Sequence, residues 1–216
     1  MARERYLKHL EILKDSVLSF GKIVKLMFDD SIMAVIDLDI KMAEKVLAFE
    51  TEMSDIEDEI EVSILDLLTL QQPIASDLRL IVSALKISAD LKRIMGLAID
   101  IAKIPRKIGG DHIIPLVDLK KMADIVAYML ENSLKAFETR DQELARVTAD
   151  RDDEVDKIFY IIWTELIQIM LTDKNLIHKT TYLLFLIRYI ERIADHCCNV
   201  CESVVYLDTA ERVKLN

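Results

Sequence analysis

The sequence predicts an all-α fold arranged as two tandem three-helix bundles, and three observations support this class. Hydrophobic residues make up 52% and charged residues 31% of the 216 positions, which supplies both a core and a charged surface. Glycine and proline, which form turns and interrupt helices, occur only 4 and 3 times. Apolar residues recur at alternating steps of three and four, the spacing of a helix that packs lengthwise in a bundle.

Six long helices account for almost the whole chain. Asp37 or Asp39 can cap the second helix, and Ser76 can cap the third. Thr139 with Gln142 has the spacing of a capping box at the start of the fifth helix. The predicted helices cover about residues 3–35, 39–70, 76–107, 116–138, 139–171 and 176–207.

The two halves of the chain share one plan. Segment 105–115 holds two of the three prolines and the Gly-Gly pair, so it is the predicted linker between residues 1–108 and residues 109–216. Residues 91–94 (LKRI) align with residues 190–193 (IERI) at an offset of 99, and the apolar positions of the third and sixth helices coincide at that offset. Each half is therefore expected to form one three-helix bundle.

Composition and charge argue against several classes of protein. A net charge of −10 disfavours binding to nucleic acid or to anionic lipid. The apolar runs are far shorter than the roughly 20 residues of a membrane-spanning helix, and the charged N-terminus lacks the apolar region of a signal peptide. Three clustered cysteines do not make a disulfide framework, which favours a reducing, cytoplasmic location.

An acidic column on the sixth helix is the strongest chemical signal. Glu191, Asp195 and Asn199 follow at steps of four, so each side chain is rotated only about 40° from the previous one. Asp152 and Asp156 repeat this step on the fifth helix. From the hairpin turn, Asp156 and Glu191 lie 17 and 18 residues away, and Asp152 and Asp195 lie 21 and 22 away. Because antiparallel helices rise equally per residue, the four carboxylates and the asparagine are predicted to converge on one surface patch.

Such a patch predicts a metal site, because like charges repel unless a cation neutralises them. Oxygen donors suit Mg²⁺, Ca²⁺, Mn²⁺ or iron better than a structural zinc. The alternative is a solvated acidic face, in which Arg188, Arg192 and Lys157 provide ordinary ion pairs.

Softer donors lie beside the patch. Cys197 and Cys201 fall on the apolar seam of the sixth helix, where cysteine behaves as a small hydrophobic residue. Cys198 flanks the acidic face together with Glu202, and it can be interpreted either as a ligand or as a core residue. His196 is interpreted as a surface residue.

The first half carries a degenerate version of the acidic patch. Counted from the helix break at residue 73, the equivalent positions hold Glu50, Ser54, Lys92 and Gly96, with Asp100 at the asparagine position. A lysine ammonium repels a metal ion. We therefore expect Lys92 to pair with Glu50 or Asp100 and to replace the missing cation.

Two segments resemble the repeat signatures of the PhoU family of phosphate-uptake regulators. They are LTLQQPIASDLRLIVSALKISADLKRI (residues 68–94) and RYIERIADHCCN (residues 188–199). The resemblance covers nearly the whole chain and implies tandem three-helix bundles with metal clusters on acidic motifs. Iron is the first expectation for the metal, with manganese, magnesium, calcium and zinc as alternatives. The implied ligands are Asp152, Asp156, Glu191, Asp195 and Asn199.

The same resemblance implies a regulatory role. It describes a cytoplasmic negative regulator of phosphate uptake and phosphate signalling that contacts the ATPase of a phosphate ABC transporter and a sensor histidine kinase. It implies no catalytic turnover. In the first repeat Glu50 and Asp100 match the family pattern, whereas Ser54, Lys92 and Gly96 depart from it. A homodimer is expected as well, because the helices are long and rich in apolar residues.

Two other interpretations stay open. The second-half carboxylates could serve a metal-dependent enzyme or an iron store, although a surface site offers no dry pocket and no nucleophile. Motifs such as GxxxxGK[ST], HExxH and Glu-x-x-His are absent from the sequence. The chain could also be an accessory protein of a different phosphate carrier, which the sequence does not distinguish from the first interpretation.

Overall fold

The computed structural model describes residues 2–70, 73–110 and 117–215 and, within them, all side chains except those of residues 2, 50–55, 57 and 70. These ranges contain no β-strand, so the predicted all-α class is confirmed. Every helix in them is too short or too polar to cross a membrane. The helices are α1 (Ala2–Ile36), α2 (Ile40–Leu70), α3 (Ala75–Ala102), α4 (Ile104–Ile108), α5 (Val117–Thr139), α6 (Gln142–Ala149), α7 (Asp152–Thr172) and α8 (Ile177–Thr209).

The first helical hairpin turns where the sequence offers a cap. Leu38 adopts a left-handed backbone conformation, with φ of 52°, between α1 and α2. Asp39 Oδ1 accepts hydrogen bonds from the backbone N–H groups of Lys41 (2.8 Å) and Met42 (3.1 Å). Of the two aspartates predicted as caps, Asp39 is therefore the one that satisfies the first free donors of α2.

The start of the third helix differs from the prediction. α3 begins at Ala75, so Ser76 lies inside the helix and is not its cap. The carboxylate of Asp77 accepts a hydrogen bond from the backbone N–H of Ile74 (3.3 Å) and forms an ion pair with Arg3 of α1 (2.7 Å). An acidic residue in the first turn thus takes over the role expected of the serine, and it also ties α1 to α3.

The end of the third helix differs as well. α3 stops at Ala102 instead of reaching residue 107, and the short helix α4 follows after one residue. Pro105 lies in the first turn of α4, where a residue without a backbone N–H is tolerated. In the middle of a continuous helix the same proline would interrupt the helix. Part of the predicted linker is therefore helical, and residues 111–116 lie outside the described part of the chain.

The predicted continuous fifth helix is wrong. Thr139 is the last residue of α5, and its hydroxyl donates to the carbonyl oxygen of Lys135 (2.9 Å). Arg140 takes the backbone through the left-handed region, with φ of 55°. Asp141 then caps α6 by accepting a hydrogen bond from the N–H of Leu144 (2.9 Å). The helix that begins here is capped by the aspartate two residues after the predicted threonine.

A second interruption lies directly before the acidic residues. A turn at Asp150 and Arg151 separates α6 from α7, so α7 begins at Asp152. The predicted hairpin between α7 and α8 is present, and Asp173 stabilises its turn by accepting a hydrogen bond from the N–H of Asn175 (2.9 Å). Asp152 therefore lies at the N-terminal end of α7, where the helix dipole favours a carboxylate.

The equivalent helices of the two halves, α3 and α8, pack directly on each other. From one contact to the next, the contacting residue moves forward along α3 and backward along α8 by the same number of residues. The two helices are therefore antiparallel and keep one register. Three side-chain contacts define it: Arg79 to the Leu207 carbonyl (3.2 Å), Ser83 to the Ser203 carbonyl (3.0 Å) and Asp90 to His196 (2.8 Å).

One continuous hydrophobic core runs through both halves. Besides the α3–α8 contact, α1 packs against α5. Gly21 of α1 is needed at this contact, since a methyl group placed there would lie 2.4 Å from Cδ2 of Leu134. The domain boundary predicted between residues 108 and 109 stays a prediction that concerns the sequence repeat. The two repeats share one core.

Candidate functional site

The α7–α8 hairpin places Asp152, Asp156, Glu191 and Asp195, here called the acidic cluster, in one another's electrostatic field. The pKa of Glu191 is raised to about 7, first by burial and then by the charges of Asp195, Asp156 and Asp152. Burial also raises the pKa of Asp195, and the charge of Asp156 adds to that effect. The charges of the neighbouring carboxylates therefore disfavour ionisation of Glu191 and Asp195.

Arg188 is the main residue that neutralises the acidic cluster, and the charges of His196 and Arg192 add to its effect on Asp195. Arg188 forms an ion pair through Nη1 with Oε1 of Glu191, and its charge lowers the pKa of both Glu191 and Asp195. The second carboxylate oxygen of Glu191, Oε2, is buried and accepts no hydrogen bond from any atom that the structure describes. The ion pair expected of a solvated acidic face is thus present, but it leaves one buried oxygen unsatisfied.

Asn199 and His196 make contacts with α3. Asn199 Nδ2 donates to Oδ1 of Asp90 (3.1 Å), and the same oxygen lies 2.8 Å from Nδ1 of His196. The amide nitrogen of Asn199 is therefore engaged across the α3–α8 interface, and not by the acidic cluster with which the sequence groups it. Sequence reasoning missed Asp90 because its role depends on the register between α3 and α8, which no motif encodes.

The three cysteines beside the acidic cluster are core residues. Cys197, Cys198 and Cys201 are each at most 1% exposed. Burial raises the pKa of all three thiols, that of Cys201 to about 12. Cys198 Sγ lies 3.8 Å from the carbonyl oxygen of Ala149 in α6. Cys198, for which the sequence leaves two interpretations, packs in the core as an unreactive thiol.

The acidic cluster fits a hard metal ion by its donor chemistry. Its carboxylates offer only oxygen, and a cation would satisfy Oε2 of Glu191 and relieve the mutual repulsion. Among the side chains that the structure describes, no three His, Cys, Asp or Glu residues already surround a point where an ion could sit. Joint coordination of one ion therefore requires changes of side-chain rotamer within the cluster.

The degenerate site of the first half has its own cation. Asp100 Oδ1 forms an ion pair with Lys103 Nζ (2.9 Å), so Lys103 neutralises the carboxylate for which we expected Lys92. The Glu50 side chain lies outside the described residues, and its pairing with Lys92 stays a prediction. Gly96 opens onto free space, since no atom lies within 4 Å of a methyl group placed there.

An exposed group of aromatic residues, here called the aromatic patch, adjoins the acidic cluster. Tyr160 and Trp163 of α7 are 67% and 41% exposed, and Phe185 of α8 is 48% exposed. These side chains line a shallow groove of about 680 Å³ together with Phe159, Thr181, Leu184 and Arg188. Arg188 therefore lines the aromatic patch and also holds Glu191.

Fold and site together define a class of protein: a helical-bundle protein made of two similar repeats, with a carboxylate site on the second repeat. The PhoU domain matches the chain twice, over residues 17–104 and 119–204. The two matches together span most of the chain, so the chain belongs to the PhoU family. The family resemblance and the internal repeat predicted from the sequence are both confirmed.

Named relatives and solved structures agree with this assignment. A phosphate-specific transport system accessory protein PhoU homolog of Clostridium acetobutylicum is 36% identical over 218 residues, which covers 100% of both chains. A protein of the same description from Streptococcus pneumoniae is 31% identical and covers 99% of this chain and 100% of its own.

Crystal structures of PhoU superimpose closely on this chain. That of the phosphate transport system regulatory protein PhoU from Streptococcus pneumoniae matches with a TM-score of 0.89 at 29% identity, covering 96% of this chain and 99% of that one. That of PhoU from Pseudomonas aeruginosa matches with a TM-score of 0.92 at 30% identity, covering 95% and 100%.

Proposed function

We propose that this protein is an accessory protein of the phosphate transport system and a negative regulator of phosphate uptake and signalling, which binds metal through the acidic cluster. It acts in the cytoplasm and is not an enzyme. The carrying observation is the acidic cluster itself: four carboxylates lie together, and two of their buried oxygens, Oε2 of Glu191 and Oδ1 of Asp152, accept no hydrogen bond from the described atoms. The fold is one whose named relatives are transport accessory proteins.

The residues of the acidic cluster have distinct parts in this proposal. Glu191 and Asp195 of α8 and Asp152 and Asp156 of α7 would hold the ion, with Asn199 as the fifth candidate ligand. Iron is the first candidate, followed by manganese, magnesium, calcium and zinc. The ion supplies positive charge that balances the carboxylates. Arg188 positions Glu191 through their ion pair, and the α7 N-terminus stabilises the charge of Asp152.

We propose the aromatic patch as the docking surface for the ATPase of a phosphate ABC transporter. Exposed aromatic side chains commonly anchor protein interfaces, because each buries a large apolar area at little cost in conformational entropy. Arg188 and Thr181, which line the same groove, give such a contact polar partners. A sensor histidine kinase and a homodimer are the other protein contacts in this proposal.

The thiols next to the acidic cluster support a role in binding over a role in catalysis. Cys198 lies within the electrostatic field of Asp152 and Asp195, but it is buried and burial raises its pKa. A thiol in that state supplies almost no thiolate at neutral pH and so is not a nucleophile.

Metal analysis of the purified protein tests the proposal. After incubation with iron, manganese or magnesium and removal of free ion, we expect stoichiometric metal in the unaltered protein and its loss in the double variant E191A/D195A. The matched control is E165A/D208A, which removes two carboxylates from the same helices outside the cluster. An unaltered protein that stays free of metal, or equal loss in both variants, would contradict the metal site.

Binding to the transporter ATPase is measured separately. We expect the double variant Y160S/W163S to lose this binding, while Y128S, which alters an aromatic residue of α5 that is 45% exposed, keeps it. Light scattering on the same samples reports whether the protein is a dimer and whether the patch mediates it. Full binding by Y160S/W163S would assign the ATPase to another surface.

A further inference from the structure

A groove between α3 and α8 is lined by four lysine and arginine side chains and a histidine, which lie among apolar residues. We propose that it binds a small anion that carries two or more phosphate groups. The groove measures about 730 Å³, within the range of small-molecule sites. Its charged and titratable lining residues, here called the basic groove, are Lys92, Arg93, Asp100, Lys103, Arg192 and His196.

The two arginines of the groove lie level on neighbouring helices. Asp90 of α3 contacts His196 of α8, and the two helices keep one antiparallel register. Three steps forward from Asp90 reach Arg93, and four steps back from His196 reach Arg192, so the guanidinium groups flank the groove at the same height. The two arginines also occupy equivalent positions of the two repeats, at the offset of 99.

These arginines are available to a ligand. Both side chains are exposed, and neither forms an ion pair or a side-chain hydrogen bond with any residue that the structure describes. They concentrate positive charge on a chain whose net charge is −10, so the groove is a local reversal of the overall sign. Guanidinium groups bind phosphate oxygens in bidentate geometry, which makes phosphate groups their best-matched partners.

Gly96 supplies room in the groove. Glycine inside a helix is unfavourable relative to alanine, and here its φ is not positive and no neighbouring atom would contact a methyl group. Packing therefore does not explain the residue. The position of Gly96 on the groove wall explains why it is glycine, since any longer side chain would project into the space between Arg93 and Lys103.

The distribution of charge sets the class of ligand. Lys103 lies eleven positions after Lys92, which corresponds to roughly 16 Å along the axis of α3. A single phosphate group cannot contact both ends of that span, whereas a ligand with two or more phosphate groups can reach the arginine pair and one lysine together. Asp100, which pairs with Lys103, is the acidic residue that lines the groove. Asp90, which contacts His196, and Asp195, whose pKa is lowered by the charges of Arg192 and His196, lie next to lining residues.

Isothermal titration calorimetry with inorganic pyrophosphate tests the inference. We expect one-to-one binding that weakens with added salt and is tighter than binding of inorganic phosphate. The variant R93Q/R192Q should lose at least about tenfold in affinity, because each charge-assisted contact is removed. G96L should block binding by filling the groove, and G96A should retain it.

Two controls isolate the groove from other sites. R5Q/R146Q removes two arginines outside the groove and should bind pyrophosphate as the unaltered protein does. E191A/D195A should bind pyrophosphate at least as tightly as the unaltered protein, because it removes negative charge near Arg192 and His196, and this separates the groove from metal held by the acidic cluster. No binding to the unaltered protein, or equal binding by R93Q/R192Q, would overturn the inference. Loss of an acidic protein partner in R93Q/R192Q without pyrophosphate binding would overturn it too and assign the groove to that partner.

Discussion

At the scale of single residues, Glu191 is held in a place that disfavours its charge. Burial and the neighbouring carboxylates raise its pKa from 4.5 to about 7. In metal-free protein the folded state therefore binds more protons than the unfolded state between these values. The contribution of Glu191 to stability is therefore most favourable below pH 4.5, falls as the pH rises to about 7, and is constant above that.

The variant E191Q imitates the protonated carboxyl and should remove this loss of stability. In chelator-treated protein we expect its melting temperature to exceed that of the unaltered protein by roughly 2–4 °C at about pH 8, and to match it at about pH 4. The effect is moderate because the side chain is partly solvated. Thermal melts followed by circular dichroism measure it, with E165Q as the control. Parallel melting curves for E191Q and the unaltered protein at all pH values would contradict the prediction.

Two glycines predict opposite responses to the same substitution. G96A should stabilise the protein by up to about 1 kcal/mol, because alanine is the better helix former and the methyl group meets nothing. G21A should destabilise it by about 1–3 kcal/mol, because its methyl group would overlap Leu134 between α1 and α5. Urea denaturation measures both. A loss of stability in G96A would show that the open space at this position is needed for folding.

At the scale of elements, the sequence predicts helices well and their interruptions poorly. The α7–α8 hairpin follows from counting residues on either side of its turn, because helical rise is constant. The break between α5 and α6 does not, because Thr139 and Asp141 are both good capping residues. In the structure Asp141 is the cap, because Arg140 adopts the left-handed conformation and ends α5 before it. This conformation depends on how α5 packs.

The cap at Asp141 gives a test of this assignment. D141A should lower the free energy of unfolding by about 1 kcal/mol, because the N–H of Leu144 loses its acceptor. T139A should have a smaller effect, since that hydroxyl only donates to a carbonyl already within α5. Urea unfolding of both variants distinguishes the two capping schemes. A larger loss in T139A would restore the threonine cap that the sequence suggests.

At the scale of the whole molecule, contacts between the halves were beyond sequence reasoning. The acidic cluster lies within one hairpin, so spacing along the chain was enough to predict that its carboxylates converge. The basic groove and the contacts of Asp90 require knowing that α3 packs on α8 and in which register. Periodicity shows that each helix has an apolar face, but it does not identify the helix that covers that face.

Because one core joins both halves, the protein should unfold as a single cooperative unit. Trp163, the only tryptophan, reports on α7 of the second half, whereas circular dichroism reports on all helices. L91A creates a cavity in α3 of the first half at a fully buried side chain, which should cost about 2–5 kcal/mol. We expect the urea midpoints of both signals to fall by the same amount, whereas L85A, at an exposed position of α3, should change neither by much. Independent halves would instead show an unmoved Trp163 midpoint beside a lowered midpoint in circular dichroism.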